Sequence, residues 1–128
     1  MNNILIVEDD PMANQFYGLI FSKAGYNTIF SEDSEEIIDF IRNSSVDLAI
    51  LDINLKNTYF EGKKTDGVKL CSYLKNTVNS EIPVIIVTAY NTGVSFRDIL
   101  DNSLADDLVI KPISDYNLLL DKVKGFVN

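Results

Sequence analysis

The sequence predicts a doubly wound α/β fold, a five-stranded parallel sheet with helices on both faces. Three observations carry this. Short apolar runs at residues 4–7, 48–51, 84–87 and 108–110 do not alternate with polar residues, as strands buried on both faces require. Segments of helical periodicity fall between the runs, and strands alternating with helices build parallel units with right-handed crossovers. Each run also ends in polar chemistry, at the carboxyl end where open α/β sheets place their ligands. Glu8, Asp9 and Asp10 follow the first run, Asp52 the second, Thr88 the third and Lys111 the fourth.

In chain order, residues 4–7 read as a fully buried first strand. Asp10 then caps a helix with Pro11 at its first position, running to about Ala24 and stopped by Gly25. Phe16, Leu19, Ile20 and Lys23 mark its expected inner stripe. A weaker strand, 26–30, is expected near an edge. The helix at 34–43 turns Ile37, Ile38 and Ile41 inward with Phe40 beside them, and Glu35 and Glu36 suit its first turn. Residues 46–52 form the third strand. The polar stretch 56–65 reads as a long solvated loop rather than a partner contact. Asp66-Gly67 opens a helix with Val68, Cys71, Leu74 and Val78 aligned, and Ile82-Pro83 resets the chain before the fourth strand. A helix at 91–103 carries Phe96, Ile99 and Leu100. After the fifth strand, Ser114 or Asp115 caps a last helix to about Val127, with Leu118, Leu119 and Val123 inward.

Length and composition bound the function. A chain of 128 residues, 46% hydrophobic and 23% charged, suits one globular domain over 1–128, with nothing appended. Nineteen acids against eleven bases give a net charge of −8, which argues against unassisted nucleic-acid binding and suits a metal cation or a basic partner surface. Cys71 is the only cysteine, so no intrachain disulfide forms. No apolar stretch reaches membrane-spanning length and no signal peptide precedes Ile4, so a cytoplasmic location with no membrane contact is expected. There is no histidine, which removes the commonest general base and phosphoryl-carrying side chain.

The strand-end residues then define one chemistry. Carboxylates at ~4 Å repel by ~4 kcal/mol at an effective dielectric near 20, so Asp52 beside the Glu8–Asp10 cluster needs a cation or a proton. Oxygen ligands without histidine or thiolate point to Mg²⁺. Asp52 reads as a nucleophile that carries a phosphoryl group as an acyl phosphate. That transfer needs in-line positioning and neutralised equatorial oxygens, which Mg²⁺, the Lys111 ammonium and the Thr88 hydroxyl would supply. Lys111, directly after a buried run, must itself find an anion.

The residues Ile4-Leu5-Ile6-Val7-Glu8-Asp9-Asp10, then Leu51-Asp52, Val87-Thr88-Ala89 and Lys111-Pro112, resemble the receiver domains of two-component response regulators. The resemblance covers nearly the whole chain, in order. It implies the flavodoxin-like strand order 2-1-3-4-5 and Asp52 as phosphoacceptor. It implies Asp9 and Asp52 as Mg²⁺ ligands, with the main-chain carbonyl of Asn54 and Glu8 through water. Thr88 and Lys111 become the phosphate-sensing pair, the Lys111-Pro112 bond is expected cis, and Tyr90 takes the position that tunes acyl-phosphate hydrolysis. The partners implied are a histidine kinase or histidine phosphotransfer protein as donor, and a downstream protein target or a second copy as receiver of the signal. The implied protein is not an enzyme beyond its own phosphotransfer and slow dephosphorylation. Its first alternatives are a non-phosphorylated receiver-like interaction module and an aspartyl-nucleophile metal-dependent phosphatase, the latter disfavoured by Asn54 where a second aspartate is usual.

Two features depart from the family pattern. Asp-Gly usually follows the acceptor by about seven residues, and here Asp66-Gly67 comes 14 later, an insertion within about 55–65. The usual aromatic switch position is Leu108, which removes the ring for a buried-to-exposed flip but leaves phosphorylation untouched.

Overall fold

A computed structural model describes residues 2–89, 95–111, 113 and 115–127. In order come β1 (Asn3–Val7), α1 (Pro11–Lys23), β2 (Asn27–Phe30), α2 (Ser34–Arg42), β3 (Leu48–Asp52), β4 (Tyr59–Phe60), β5 (Lys63–Lys64), α3 (Gly67–Tyr73), β6 (Val84–Ala89), α4 (Phe96–Ser103), β7 (Asp107–Lys111) and α5 (Tyr116–Phe126). Strands β2-β1-β3-β6-β7, in that order, pair in parallel as one sheet. This is the expected 2-1-3-4-5 order, with the weaker strand at an edge.

The pleat sends alternate residues to opposite faces, so apolar residues at every position fill two cores. Leu5, Val7, Ala49, Leu51, Val84 and Ile86 pack with residues of α2, α3 and α4 on one face. Ile4, Ile6, Leu48, Ile50, Ile85 and Val87 pack with Tyr17 and Phe21 of α1 and Leu119 and Val123 of α5 on the other. Helix starts follow side-chain capping: Asp10, Asp33, Asp66, Ser95 and Asp115 each accept a backbone N–H one turn ahead, worth ~1 kcal/mol apiece.

The structure corrects four local expectations. In α1 the inner side is Ala13, Tyr17, Ile20 and Phe21, while Phe16 and Leu19 are largely exposed. Apolar residues occupy both sides of this helix, so period alone does not select the buried one. In α5, Leu119 and Val123 are buried but Leu118 faces solvent. α3 buries Leu70 with Cys71 and Leu74, leaves Val68 and Val78 half-buried, and widens into a π-helical turn, Leu74–Val78, where Asn79 N donates to Leu74 O at 2.8 Å. The expected loop at 56–65 is a β4–β5 hairpin. Thr65 N donates to Thr58 O at 3.0 Å, Thr58 is wholly buried, and Ser34 Oγ donates to Tyr59 O at 2.5 Å. α4 carries Ile99 buried, and the expected first residues of that helix, 91–94, lie outside the described residues.

Cys71 gives a stability prediction. Burial, the dominant cause, with the negative charge of Asp106 and against the opposing charge of Lys75, pushes its thiol from 9.0 up to about 12. Above pH 9.0 the unfolded chain loses that proton and the folded chain keeps it, so stability falls as pH rises, by up to about 1.4 kcal/mol per pH unit. Urea midpoints between pH 8 and 11 should therefore decline more steeply in the wild type than in Cys71→Ala. Equal pH dependence in the two proteins would exclude this account.

Candidate functional site

The chain runs from β1 outward to β2, then returns past β1 to β3, so the sheet's topological switch lies between β1 and β3. The register Val7↔Leu51 brings the next residues, Glu8 and Asp52, side by side at that point. On the other side of β3, Asp52 pairs with Val87, and Thr88 and Ala89 pair with Ile110 and Lys111. Four strand ends thereby deliver acids, a hydroxyl and an ammonium to one place.

Glu8, Asp9 and Asp52 offer carboxylate oxygens that all lie within 4.8 Å of one another. Lys111 answers that charge, with Nζ 2.6 Å from Glu8 Oε1 and 3.3 Å from Asp52 Oδ2. Burial alone would lower the Lys111 pKa. The hydrogen bond to Glu8 and the charges of Asp52 and Glu8 outweigh it and hold the ammonium above its ordinary range. That pairing stabilises the fold fully below about pH 10.5 and is lost only as pH rises through the elevated value.

Glu8 is nearly inaccessible, at 3% exposure. Its second oxygen accepts from the amides of Asp9 (3.0 Å) and Asp10 (3.3 Å), so both oxygens are engaged. Asp9 is half-buried and has no side-chain partner of its own among the described residues. Asp52, 6% exposed, accepts from Asn54 N at 3.3 Å through Oδ1. The donor set is oxygen only, two carboxylates remain less engaged than Glu8, and the cluster carries three acids against one lysine. Those properties fit a hard divalent cation. Thr88 is buried, its hydroxyl donating to Ala89 O at 3.1 Å. Leu108 is half-buried against the β6 side of the sheet, paired with Ile86. Tyr90 and Pro112, and with it the expected cis bond, lie outside the described residues.

Three residues at this site escaped the sequence reading. Asn14 Nδ2 donates to Glu8 O at 3.0 Å and so ties the β1–α1 loop to the helix; a lone asparagine one turn into a helix carries no signal for this. Tyr17 lines the cavity beside Lys111 and Ala89, and burial, with the charges of Glu8 and Asp52, raises its hydroxyl pKa well above the tyrosine range. The inner stripe expected for α1, Phe16, Leu19, Ile20 and Lys23, passed it over. Gly67, read only as a helix start, donates its N–H to Ile53 O at 2.9 Å, directly behind Asp52.

The family model described as "Response regulator receiver domain" matches residues 4–124. The chain is 34% identical over 119 residues to the heme response regulator HssR of Staphylococcus epidermidis, covering 93% of this chain and 49% of that protein. It is 31% identical over 120 residues to the transcriptional regulatory protein CpxR of Escherichia coli, covering 93% and 47%. The chain thus spans about half the length of these relatives. Among solved structures, a two-component response regulator from Clostridium difficile superposes with a TM-score of 0.79 at 27% identity, over 99% of this chain and 96% of that one. The Thermotoga maritima response regulator TrrA, solved in complex with Mg²⁺-BeF, gives 0.79 at 25%, over 99% and 100%. No helix among the described residues is long and apolar enough to cross a membrane. A family match over residues 4–124, on a fold shared with these solved structures, shows that the chain belongs to the response regulator receiver domain family.

Proposed function

We propose that residues 1–128 act as one receiver domain, with an insertion at 55–65, that accepts a phosphoryl group on Asp52 from a phosphohistidine of another protein. The observation that carries this reading is the Lys111 ammonium bridging Glu8 and Asp52 across two strand ends. An Asp52 carboxylate oxygen attacks phosphorus, the P–N bond to the donor imidazole breaks, and the imidazole leaves as an acyl phosphate forms. The donor is a histidine kinase or phosphotransfer protein, since this chain has no histidine. Lys111 and the Thr88 hydroxyl would neutralise the charge that grows on the equatorial oxygens.

Receiver domains bind Mg²⁺ at an acidic pocket, and the Glu8–Asp9–Asp52 cluster supplies one here. Asp9, Asp52 and the main-chain carbonyl of Asn54 would hold the ion, and the two committed oxygens of Glu8 suit an indirect role through water. Bound there, Mg²⁺ adds positive charge for the phosphoryl oxygens. Receiver domains are generally not true enzymes, and turnover here is limited to acceptance and slow loss of the phosphoryl group. Phosphorylation would bias a two-state equilibrium of surfaces on α4 and the Leu108 strand, read by a downstream protein or a second copy, in the cytoplasm and without nucleic-acid contact by this domain. Tyr90 would tune the lifetime of the phosphorylated state.

The test is intact mass after incubation with acetyl phosphate, with and without Mg²⁺, on wild type and Asp52→Asn. A phosphate-sized gain that needs both Mg²⁺ and Asp52 is expected. If neither acetyl phosphate nor a phosphorylated phosphotransfer protein labels the wild type, the interaction-module reading replaces this one.

A further inference from the structure

We propose that the cavity between the β4–β5 hairpin and α3 is a docking site for a short acidic protein segment carrying one apolar side chain. The cavity holds about 280 Å³, near the low end for ligand sites and suited to a single anchoring side chain. Phe60, Leu70 and Tyr73 form its apolar part, the Phe60 and Tyr73 rings 4.4 Å apart and tilted by 49°. Lys63, Lys64 and Lys69 supply its rim. All three are exposed, and none forms an ion pair among the described residues. Glu61 also lines the cavity and forms no ion pair with them.

This concentration of cations runs against the chain as a whole. Four lysines and two acids give residues 56–69 a net charge of +2, while the whole chain carries −8, so the remaining residues carry −10. Lysines often guard exposed strand edges against aggregation. That explanation reaches neither two-residue strands with little edge to guard nor Lys69, which sits on a helix. The walls are also pre-formed, which lowers the ordering cost of binding. The hairpin turn places Glu61 and Gly62 at φ of 53° and 79°, the two positive values a type I′ turn requires. Thr58 is wholly buried at the base, and Ser34 holds Tyr59 O from α2.

Charge also selects the class of occupant. An extended nucleic acid would meet the −10 of the surrounding surface along its length. A short acidic peptide meets only the +2 segment, and its apolar side chain has an aromatic pocket to enter.

The test is an amide-shift titration of the whole chain with a capped pentapeptide, phenylalanine at its centre and two glutamates on each side. Shifts are expected to concentrate at Phe60, Lys64, Lys69 and Tyr73. Affinity should fall about tenfold when glutamines replace the glutamates, the sum of several exposed charge pairs, and at least about tenfold when alanine replaces the phenylalanine. The Lys63→Ala/Lys64→Ala/Lys69→Ala variant should lose about tenfold as well. Glu61→Asn, which keeps a residue tolerant of positive φ, should bind about threefold tighter by removing an acid that lines the cavity. The proposal is overturned if millimolar peptide leaves those four amides unmoved, or if the glutamine and alanine peptides bind like the parent. It is equally overturned if a ten-nucleotide oligothymidylate moves the same amides at lower concentration, which would make the site a nucleic-acid contact.

Discussion

Replacing Gly67 with alanine is expected to cost about 3 kcal/mol of stability and to abolish phosphate labelling of Asp52, the proposed acceptor. A Cβ at this position would sit 2.8 Å from Ile53 Cα and 3.0 Å from the Asp52 carbonyl carbon, and closer still to Asp52 O. Every one of these atoms is backbone, so no side chain can swing aside. The start of α3 must move, and with it goes the hydrogen bond from Gly67 N to Ile53 O. Overpacking of this kind costs ~1–3 kcal/mol and the lost bond ~1 kcal/mol more. The strain also reaches the proposed chemistry, because Asp52 O and Ile53 belong to the strand end that aims the Asp52 carboxylate. Ile53 N donates to Val87 O at 2.9 Å, so a shift there pulls on β6 next to Thr88. Gly125, with nothing within 4 Å of a built Cβ, is the control. In the last turn of α5, alanine there should be neutral or stabilising by up to ~1 kcal/mol. Urea midpoints and phosphate labelling would be measured on both variants. An unchanged midpoint for Gly67→Ala would mean that α3 slides without cost, and the account of the Asp66-Gly67 pair would fail.

The role of Gly67 shows where the sequence stops being legible. Its place before a helix was readable from Asp66-Gly67, but its contact with Asp52 and Ile53 depends on how the hairpin folds the intervening residues back. A long polar segment gives no periodic signal, and only Glu61-Gly62, with positive φ at both, makes the turn. The sheet was legible because its apolar runs do not alternate, which already implies two covered faces, while its strand order followed only from the family resemblance. The site was legible for the same reason: each strand's last apolar residue fixes the next polar one at the carboxyl edge. Helix faces were less so. α1 has Phe16 and Leu19 on one side and Tyr17 and Phe21 on the other, and the structure uses both: Phe16 stacks on Tyr116 at 5.8 Å outside the core that Tyr17 enters. In α5 the three successive leucines 118–120 leave the choice to packing against β7, which buries Leu119 alone in full.

Lys111→Met should separate the ammonium's hold on the acidic cluster from its proposed service to the phosphoryl group. Glu8, 3% exposed, would lose a partner at 2.6 Å, and Asp52 one at 3.3 Å. Two carboxylates within 4.8 Å of one another repel by about 3.5 kcal/mol or more at an effective dielectric near 20, and removing one partner from a buried ion pair costs ~3–5 kcal/mol. A loss of roughly 3 kcal/mol is therefore expected at neutral pH without divalent ions, with both amides on Glu8 Oε2 easing the upper figure. Magnesium should stabilise both proteins, but to different extents. In the wild type an incoming cation meets the ammonium beside Asp52, whereas in the variant that repulsion is gone and the carboxylates have no other cation. Mg²⁺ should bind the variant about tenfold more tightly, a difference of ~1.4 kcal/mol that a single unit charge a few ångströms away readily supplies. Thermal denaturation over a Mg²⁺ series reads this directly, since a ligand bound only by the folded state raises stability with its concentration over Kd. The variant should start lower and recover about half of its deficit relative to the wild type once Mg²⁺ saturates both, because a tenfold difference in Kd returns ~1.4 kcal/mol, while Lys111→Arg, which keeps the charge, should follow the wild type. Parallel Mg²⁺ dependence in wild type and Lys111→Met would show that Lys111 and the ion do not share the cluster, and that the acidic residues hold their positions through the backbone amides alone.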